Sequence, residues 1–476
     1  MPFKSSIMLW VVAGRLLSRG TALRCASGGP RSATHLLARP DTRPSSRSEN
    51  WEPPRTDGGE AKERQPKRKM ALLIGYHGKP YMGLQKQSVE LNMATIESEL
   101  EKALTLAGAV SEDNANDISK LGWSRAARTD KSVSAARTVV ACRLQIEGGD
   151  VAKLIGKIND ALPADIRVFD AVRVPKGFNA KMSANRRRYT YLLPTALLAP
   201  DDFVRQAFLE GIGMDADKLS AIQASIVAAK KGGTMRTAPW RLSDEEYGKV
   251  ALHLAKYRAP ASSLEQLRTF LQAFVGTRRY HNFTARMKSN DSKASRYILS
   301  FLADDAWPTL KAQDAEWVRL EVIGQSFILH QIRKMVAVAS QAARNQRVPD
   351  AASANAMLDV LCRPGLEHPL QLVPGDGLYL GEPVFESYNT FKSSPSEGKA
   401  RLEWLPDHPK FDTIEAFRSD VIEAGIVQSG RAEALAPFAK YLWQVLVFGF
   451  PLGPDEGGLL GDLPDEPDDG AGGDDE

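Results

Sequence analysis

From residue 68 to residue 395, apolar runs too short to form helices alternate with longer stretches whose apolar residues recur every three or four positions. "ALLIGYHG" is a buried-strand run ended by Gly78, and after a loop carrying Pro80, Tyr81 and Gly83, Thr95 can cap a helix. Ile96, Leu100, Ala103 and Leu104 share one face of that helix, and Gly108 stops it. Val140, Cys142, Leu144 and Ile146 then alternate with Arg143 and Gln145, which predicts a strand. Val151 to Leu162 reads as a helix, and "RRRYTYLLP" (Arg186 to Pro194) as a strand that Pro194 ends. A second set begins with a helix around Leu264 to Phe274 and continues through the loop "GTRRYHNFT". Strands follow near Arg296 to Leu302 and Trp317 to Ile323. Next comes a helix from about Phe327 to Arg344, with Ile328, Ile332, Met335, Val336 and Ala339 on one face, and a last strand in "GDGLYLGEPVF". Helices and strands interleave in both sets without sequence repetition, so the expected class is α+β: two similar halves joined in one mostly antiparallel sheet with flanking helices.

The expected organisation is a leader and linker over 1–67, an N-terminal half over 68–199 and an insertion of mixed helical and loop character over 200–262. A C-terminal half over 263–395, a helical extension over 396–450 and an acidic tail over 451–476 complete it. Six basic residues, Lys4, Arg15, Arg19, Arg24, Arg31 and Arg39, stand in the first 40 with several serines and no acid, the composition of a mitochondrial transit peptide. "RQPKRK" (Arg64 to Lys69) is a basic patch of nuclear type, which leaves a nuclear alternative open. The apolar run from Ile7 to Val12 is too short to cross a bilayer, so no membrane association is expected. Three scattered cysteines support neither a disulfide framework nor a cysteine-rich zinc site. Net charge is +4, yet the 10 acids after Tyr441 face no Lys or Arg, so residues 1–440 hold 62 basic against 48 acidic residues and a net of +14. A basic body with an acidic tail fits a polyanionic partner such as nucleic acid.

Chemistry concentrates in "SRAARTDKSVSAARTVV" (Ser124 to Val140), where Asp130 is the only acid between Asp117 and Glu147 and is flanked by Arg125, Arg128, Lys131 and Arg137. Two readings stand: a carboxylate held ionised by guanidiniums for use as nucleophile or base, or a surface-turn aspartate paired with Arg128. Tyr189 and Tyr191 share a strand face directly behind Arg186, Arg187 and Arg188, a pattern that suits stacking on an unpaired base beside bound phosphates and equally suits a core. Arg333 lies at the boundary of an apolar helix face, where it can reach inward to a carboxylate or outward to water; His330 and Lys334 fall on the solvent side. Arg278 and Arg279 in "GTRRYHNFT" are candidate phosphate contacts. No phosphate-cradling glycine loop, metal-ligand cluster or serine or cysteine nucleophile motif occurs.

Several of these segments together resemble the tRNA pseudouridine synthase A family. "LLIGYHGKPYMGLQ", "SRAARTDKSVSAARTVV", "FNAKMSANRRRYTYLLP", "FVGTRRYHNFT", "SRYILS", "GQSFILHQIRKMVA" and "GLYLGEPVFESYN" stand in that family's order from about Lys69 to Asn389. "GWSRAARTDKSVSAA" and "GQSFILHQIRKM" look closest to the eukaryotic, pseudouridylate synthase 1-like branch. The resemblance implies a pseudouridine-synthase-like fold with a central RNA-binding cleft, uridine isomerisation in tRNA, no cofactor and no metal, and a monomer. It implies Asp130 as the essential carboxylate, Arg128 as the residue that helps flip and replace the base, and Tyr189 packed against uracil. Arg333 would pair with Asp130 and Leu329 would stand on the apolar wall; Arg186, Arg187, Arg188, Arg278 and Arg279 are, from their own basic pattern, the expected RNA contacts. The family usually carries glycine after the Asp-Lys pair, where this chain has Ser132. If that position needs positive φ, serine strains the loop, and the alternative is an inactive tRNA-binding or tRNA-folding protein on the same fold.

Overall fold

The computed structural model describes residues 66–448 except 88–93, 112–113, 116, 233–241, 286, 309–314, 345–348, 395, 397 and 428–433. The leader, the linker up to residue 65 and the acidic tail lie outside the described residues. In chain order the elements are β1 (Arg68–Tyr76), α1 (Ile96–Leu106), β2 (Ser124–Arg125), β3 (Ser134–Leu144), α2 (Val151–Ala161) and β4 (Ile166–Arg173). Next come α3 (Ala180–Ser183), β5 (Arg186–Pro194), α4 (Asp201–Ile212), α5 (Ala216–Gly232), α6 (Asp244–Leu254), α7 (Ala261–Ala273), β6 (Gly276–Arg279) and β7 (Ser295–Ala303). The chain continues through β8 (Trp307–Pro308), β9 (Glu316–Gly324), α8 (Gln331–Ala343), α9 (Ala351–Leu361), β10 (Leu378–Val384) and α10 (Glu386–Phe391). It closes with α11 (Phe411–Phe417), a π-helical turn (Arg418–Glu423), α12 (Ala424–Val427) and α13 (Ala436–Phe448).

The strands form one sheet in the order β4-β1-β3-β10-β5-β9-β7-β6, with β2 added on β3 and β8 on β9. Every pairing is antiparallel except the short parallel contact of β10 with β3 through Tyr379↔Ser134 and Leu380↔Ala135. β10 therefore joins the β4-β1-β3 set to the β5-β9-β7-β6 set, with β5, from the first half of the chain, standing among strands of the second. Local chemistry sets several boundaries. The Thr95 side chain accepts from Ser98 N while the Ser98 hydroxyl accepts from Thr95 N, a capping box that starts α1. Gly108, in left-handed conformation at φ 74°, turns the chain away at its end.

Residues directly opposite across the ladders share a face, so Tyr189 and Tyr191 stand with Leu380, Leu378, Val322 and Leu320. Thr190, Tyr379 and Glu321 point the other way. That second face carries the extension: Glu423 accepts from the Tyr379 hydroxyl at 2.5 Å and pairs with Arg319 at 3.0 Å, and Glu415 and Glu382 both pair with Arg137. Among the described residues the 200–260 segment forms three helices, α4 to α6, and it packs with α13. The rings of Phe208 and Trp443 lie 5.0 Å apart, and Gln223 Nε2 donates to Leu446 O at 2.9 Å.

Two sequence expectations need correction. "GTRRYHNFT" is not an irregular loop: Gly276–Arg279 is the edge strand β6, paired to β7, and His281, Asn282 and Phe283 form a buried 3-10 turn behind it. A four-residue edge strand is too short to show an alternating pattern, and its cations are what an exposed edge tolerates. The helix expected from Phe327 begins only at Gln331, because His330 adopts φ 63° and reverses the chain. The Gln331 side chain accepts from Ile328 N at 3.0 Å and holds that reversal. Phe327 to His330 is thus a connector, and Leu329 sits on it with its side chain exposed rather than one helical turn before Arg333.

Candidate active site

Asp130 lies in the loop between β2 and β3, and its backbone is pinned against the segment that follows β1. Leu84 N donates to Thr129 O, Ser132 N donates to Tyr81 O, and the hydroxyls of Thr129 and Tyr76 meet at 2.8 Å. Gly83 makes the approach possible: at φ 92°, a Cβ there would come within 2.6 Å of Thr129 O. The loop also passes close to Gly375, where a Cβ would meet Ser132 Oγ at 2.9 Å.

The cations that flank Asp130 in sequence do not serve it. Arg125 pairs with the fully buried Glu97, which also accepts from Trp123 Nε1. Arg137 pairs with Glu382 and Glu415 across the other face of the sheet. Arg128 and Lys131 are exposed. The partners come instead from α8 and its start: His330 Nε2 stands 3.8 Å from Asp130 Oδ2, and the Arg333 charge acts on the carboxylate. Burial pushes the Asp130 carboxyl above its ordinary range and Arg333 pulls it back, so the expectation that local guanidiniums hold it ionised is corrected in both sign and source. Arg333 itself is buried, and its Nε donates to Val373 O at 2.7 Å.

Tyr189 is buried on the same side. Its ring meets Phe327 edge to face at 5.4 Å, and burial raises its hydroxyl pKa, opposed by Arg187. Tyr191, two residues on, braces the fold by donating to Pro374 O at 2.8 Å. The structure thus brings Asp130, Tyr189 and Arg333 together, with Leu329 and Arg128 exposed on the connector and the aspartate loop. The other candidate arginines have internal partners. Arg186 pairs with Glu386, Arg188 with Glu321 and Glu382, Arg278 with Asp359 and Asn355, and Arg279 donates to Ser289 O and Asp291 O. Sequence reasoning missed Phe327 and assigned His330 and Lys334 to solvent; His330 is a left-handed cap outside the helical phase, and α8 is covered on most of its circumference. Lys334 Nζ in fact donates to Thr284 O at 3.0 Å.

Ser132 and His330 are the only non-glycine residues at positive φ among the described residues, both at 63°, and they lie on either side of Asp130. Holding a side-chain residue there costs about 1–2 kcal/mol. Ser132→Gly is expected to stabilise the protein by about 0.5–1 kcal/mol, since relief of that strain outweighs the greater backbone entropy of glycine in the unfolded chain. A rise of about 2 °C in thermal melting with unchanged turnover is the expected result. A fall in melting temperature would mean that the serine is not strained.

Residues 270–385 match the family model described as tRNA pseudouridine synthase. The chain is 33% identical over 366 residues to tRNA pseudouridine synthase 1 of Saccharomyces cerevisiae, a match covering 68% of this chain and 63% of that protein. It is 32% identical over 370 residues to tRNA pseudouridine synthase 1 of Candida albicans, covering 68% of this chain and 58% of that protein. It is 31% identical over 385 residues to pseudouridylate synthase 1 homolog of Mus musculus, covering 80% of this chain and 75% of that protein. The chain therefore spans about three-fifths of the length of the two yeast relatives and three-quarters of the mouse relative.

Proposed function

The chain belongs to the tRNA pseudouridine synthase family, and from that premise we propose that it isomerises uridine to pseudouridine in tRNA with Asp130 as the essential carboxylate. The observation that carries the proposal is the meeting of distant stretches of chain around one carboxylate: His330 Nε2 stands 3.8 Å from Asp130 Oδ2, and Phe327, three residues before it, packs on the Tyr189 ring at 5.4 Å. In the reaction the bond from C1′ to N1 breaks, uracil turns in the site, and C5 bonds to C1′. The C5 proton leaves and N1 gains one, so atoms and electrons balance without oxidant, reductant or leaving group. Attack on the sugar, attack on the base and removal of a ribose proton all need the carboxylate ionised, which is the form Arg333 favours. The Tyr189 and Phe327 rings offer an apolar wall that can retain uracil while it is detached. Arg128 would enter the stack as the base leaves it and Leu329 would stand at the rim, roles that their exposed side chains support.

Ser132 does not favour the inactive alternative. The serine takes up the left-handed conformation, and its strain is borne by the fold while the carboxylate keeps Arg333 and His330. The test is tritium release from tRNA labelled at uridine C5. Release on the scale of enzyme turnover supports the isomerase, whereas tRNA binding without release from several tRNAs would establish the binding protein instead. On this reading the chain acts as a monomer. Its acid-free leader supports mitochondrial import, and a tagged full-length chain found only in the nucleus would overturn that address.

A further inference from the structure

We propose that Arg187, the middle residue of the basic run before Tyr189, is a positioning residue that sets the separation of the two walls of the cleft. It makes five hydrogen bonds, all to backbone carbonyls. Nε and Nη2 donate to Ala126 O at 3.2 and 2.8 Å, and Nη2 also donates to Lys181 O at 3.1 Å. Nη1 donates to Ala184 O at 3.2 Å and to Gln325 O at 3.0 Å. These acceptors belong to three separate pieces of chain: the entry to the aspartate loop, α3 with its C-terminal flank, and the connector from β9 to α8.

The placement has direct consequences. Ala126 is four residues from Asp130, while Gln325 is two from Phe327, which packs on Tyr189, and five from His330, which faces Asp130. One rigid guanidinium thereby spans the N-terminal wall with the carboxylate and the C-terminal wall with its partners. Arg187 alternates with Tyr189 on one strand, so it is on the same face of β5. Its neighbours Arg186 and Arg188 are paired to carboxylates, whereas the partners of Arg187 are all carbonyl dipoles. A planar fork with five donors suits that arrangement, and a lysine ammonium with three donors on a flexible stem does not. The same engagement leaves the guanidinium no free edge for a phosphate, although its place in an arginine triplet reads as a phosphate contact.

The proposal rests on the isomerase reading of the site, and its test separates the two. Arg187→Ala and Arg187→Lys are made in the full-length protein and compared with the parent by turnover, tRNA affinity across a salt series, and amide hydrogen exchange over 126–133 and 325–331. The alanine variant is expected to lose on the order of 10²-fold in kcat, the scale of a 1 Å misplacement of reacting groups. Its tRNA affinity should stay within about twofold with an unchanged salt slope, exchange should quicken in both segments, and added methylguanidinium should restore part of the rate. The lysine variant, which keeps the charge and guards against misfolding of the alanine variant, should recover no more than about tenfold of the loss. Retained kcat with weaker binding and a salt slope reduced by about one would make Arg187 a phosphate contact and overturn the proposal. Unchanged exchange in both segments would overturn it equally, and that comparison stands even if the parent releases no tritium, in which case the isomerase reading falls by itself.

Discussion

Asp130→Asn releases no measurable tritium from C5-labelled tRNA while binding that tRNA as tightly as the parent. The expected loss is about 10⁴-fold or more, the scale seen when the central member of a covalent catalytic set is removed. Asparagine matches aspartate in size, and the carboxylate is one-fifth exposed at its position near His330, so the substitution changes charge and basicity with little change in packing. The backbone contacts that pin the loop, through Thr129 O, Asp130 O and Ser132 N, do not involve the substituted oxygen. Stability should hold or rise, because the aspartate is buried against its preference for the charged form. An active asparagine variant would remove Asp130 from the chemistry, and an inactive one that no longer binds tRNA would make its role structural.

Arg333→Met is expected to lower kcat at neutral pH by on the order of 10²-fold and to move the acid limb of the pH profile upward. The direction follows from two opposing effects on Asp130: burial raises its pKa and Arg333 lowers it, so removing Arg333 leaves the upward push unopposed by that cation. The sign for folding is the reverse of the sign for catalysis. A carboxyl whose folded pKa exceeds its unfolded value of about 4 adds stability below that pH, and the contribution is lost as pH rises through the folded value. Activity appears over the same interval in which that stability is lost. Activity of the methionine variant should therefore recover partly in alkaline buffer. Loss of kcat with an unmoved limb would show that Arg333 acts only by holding Val373 through its Nε.

Much of this was legible from the residues, for physical reasons that differ by element. β5 showed its limits because apolar alternation and a terminal proline both act within nine residues. α1 showed its start because a capping box is local chemistry. Asp130 was visible as an isolated acid in a basic stretch, and Tyr189 by its phase on β5. Arg333 as its partner came from the family resemblance and not from the spacing around the loop, where Arg125 and Arg137 are claimed by Glu97, Glu382 and Glu415, none of which is a sequence neighbour of Asp130. The first turn of α8 was misplaced because the apolar spacing continues back to Ile328 while a left-handed His330 breaks the helix, and no propensity rule announces such a residue. The engagement of Arg187 was hidden for a related reason: backbone carbonyls are present everywhere in a sequence and become a binding site only when folding gathers them.

The late position of β10 along the chain bears on how the protein is made. Residues 378–384 separate β3 from β5, so neither strand has its neighbour on that side until nearly the whole folded region has left the ribosome. A nascent chain would hold two open strand edges for much of its synthesis, a period in which chaperones that cover such edges matter most. A premature stop just before residue 378 would keep Asp130, Tyr189, His330 and Arg333, yet would leave two half-sheets unjoined, so truncating lesions there should act through aggregation and clearance of the product.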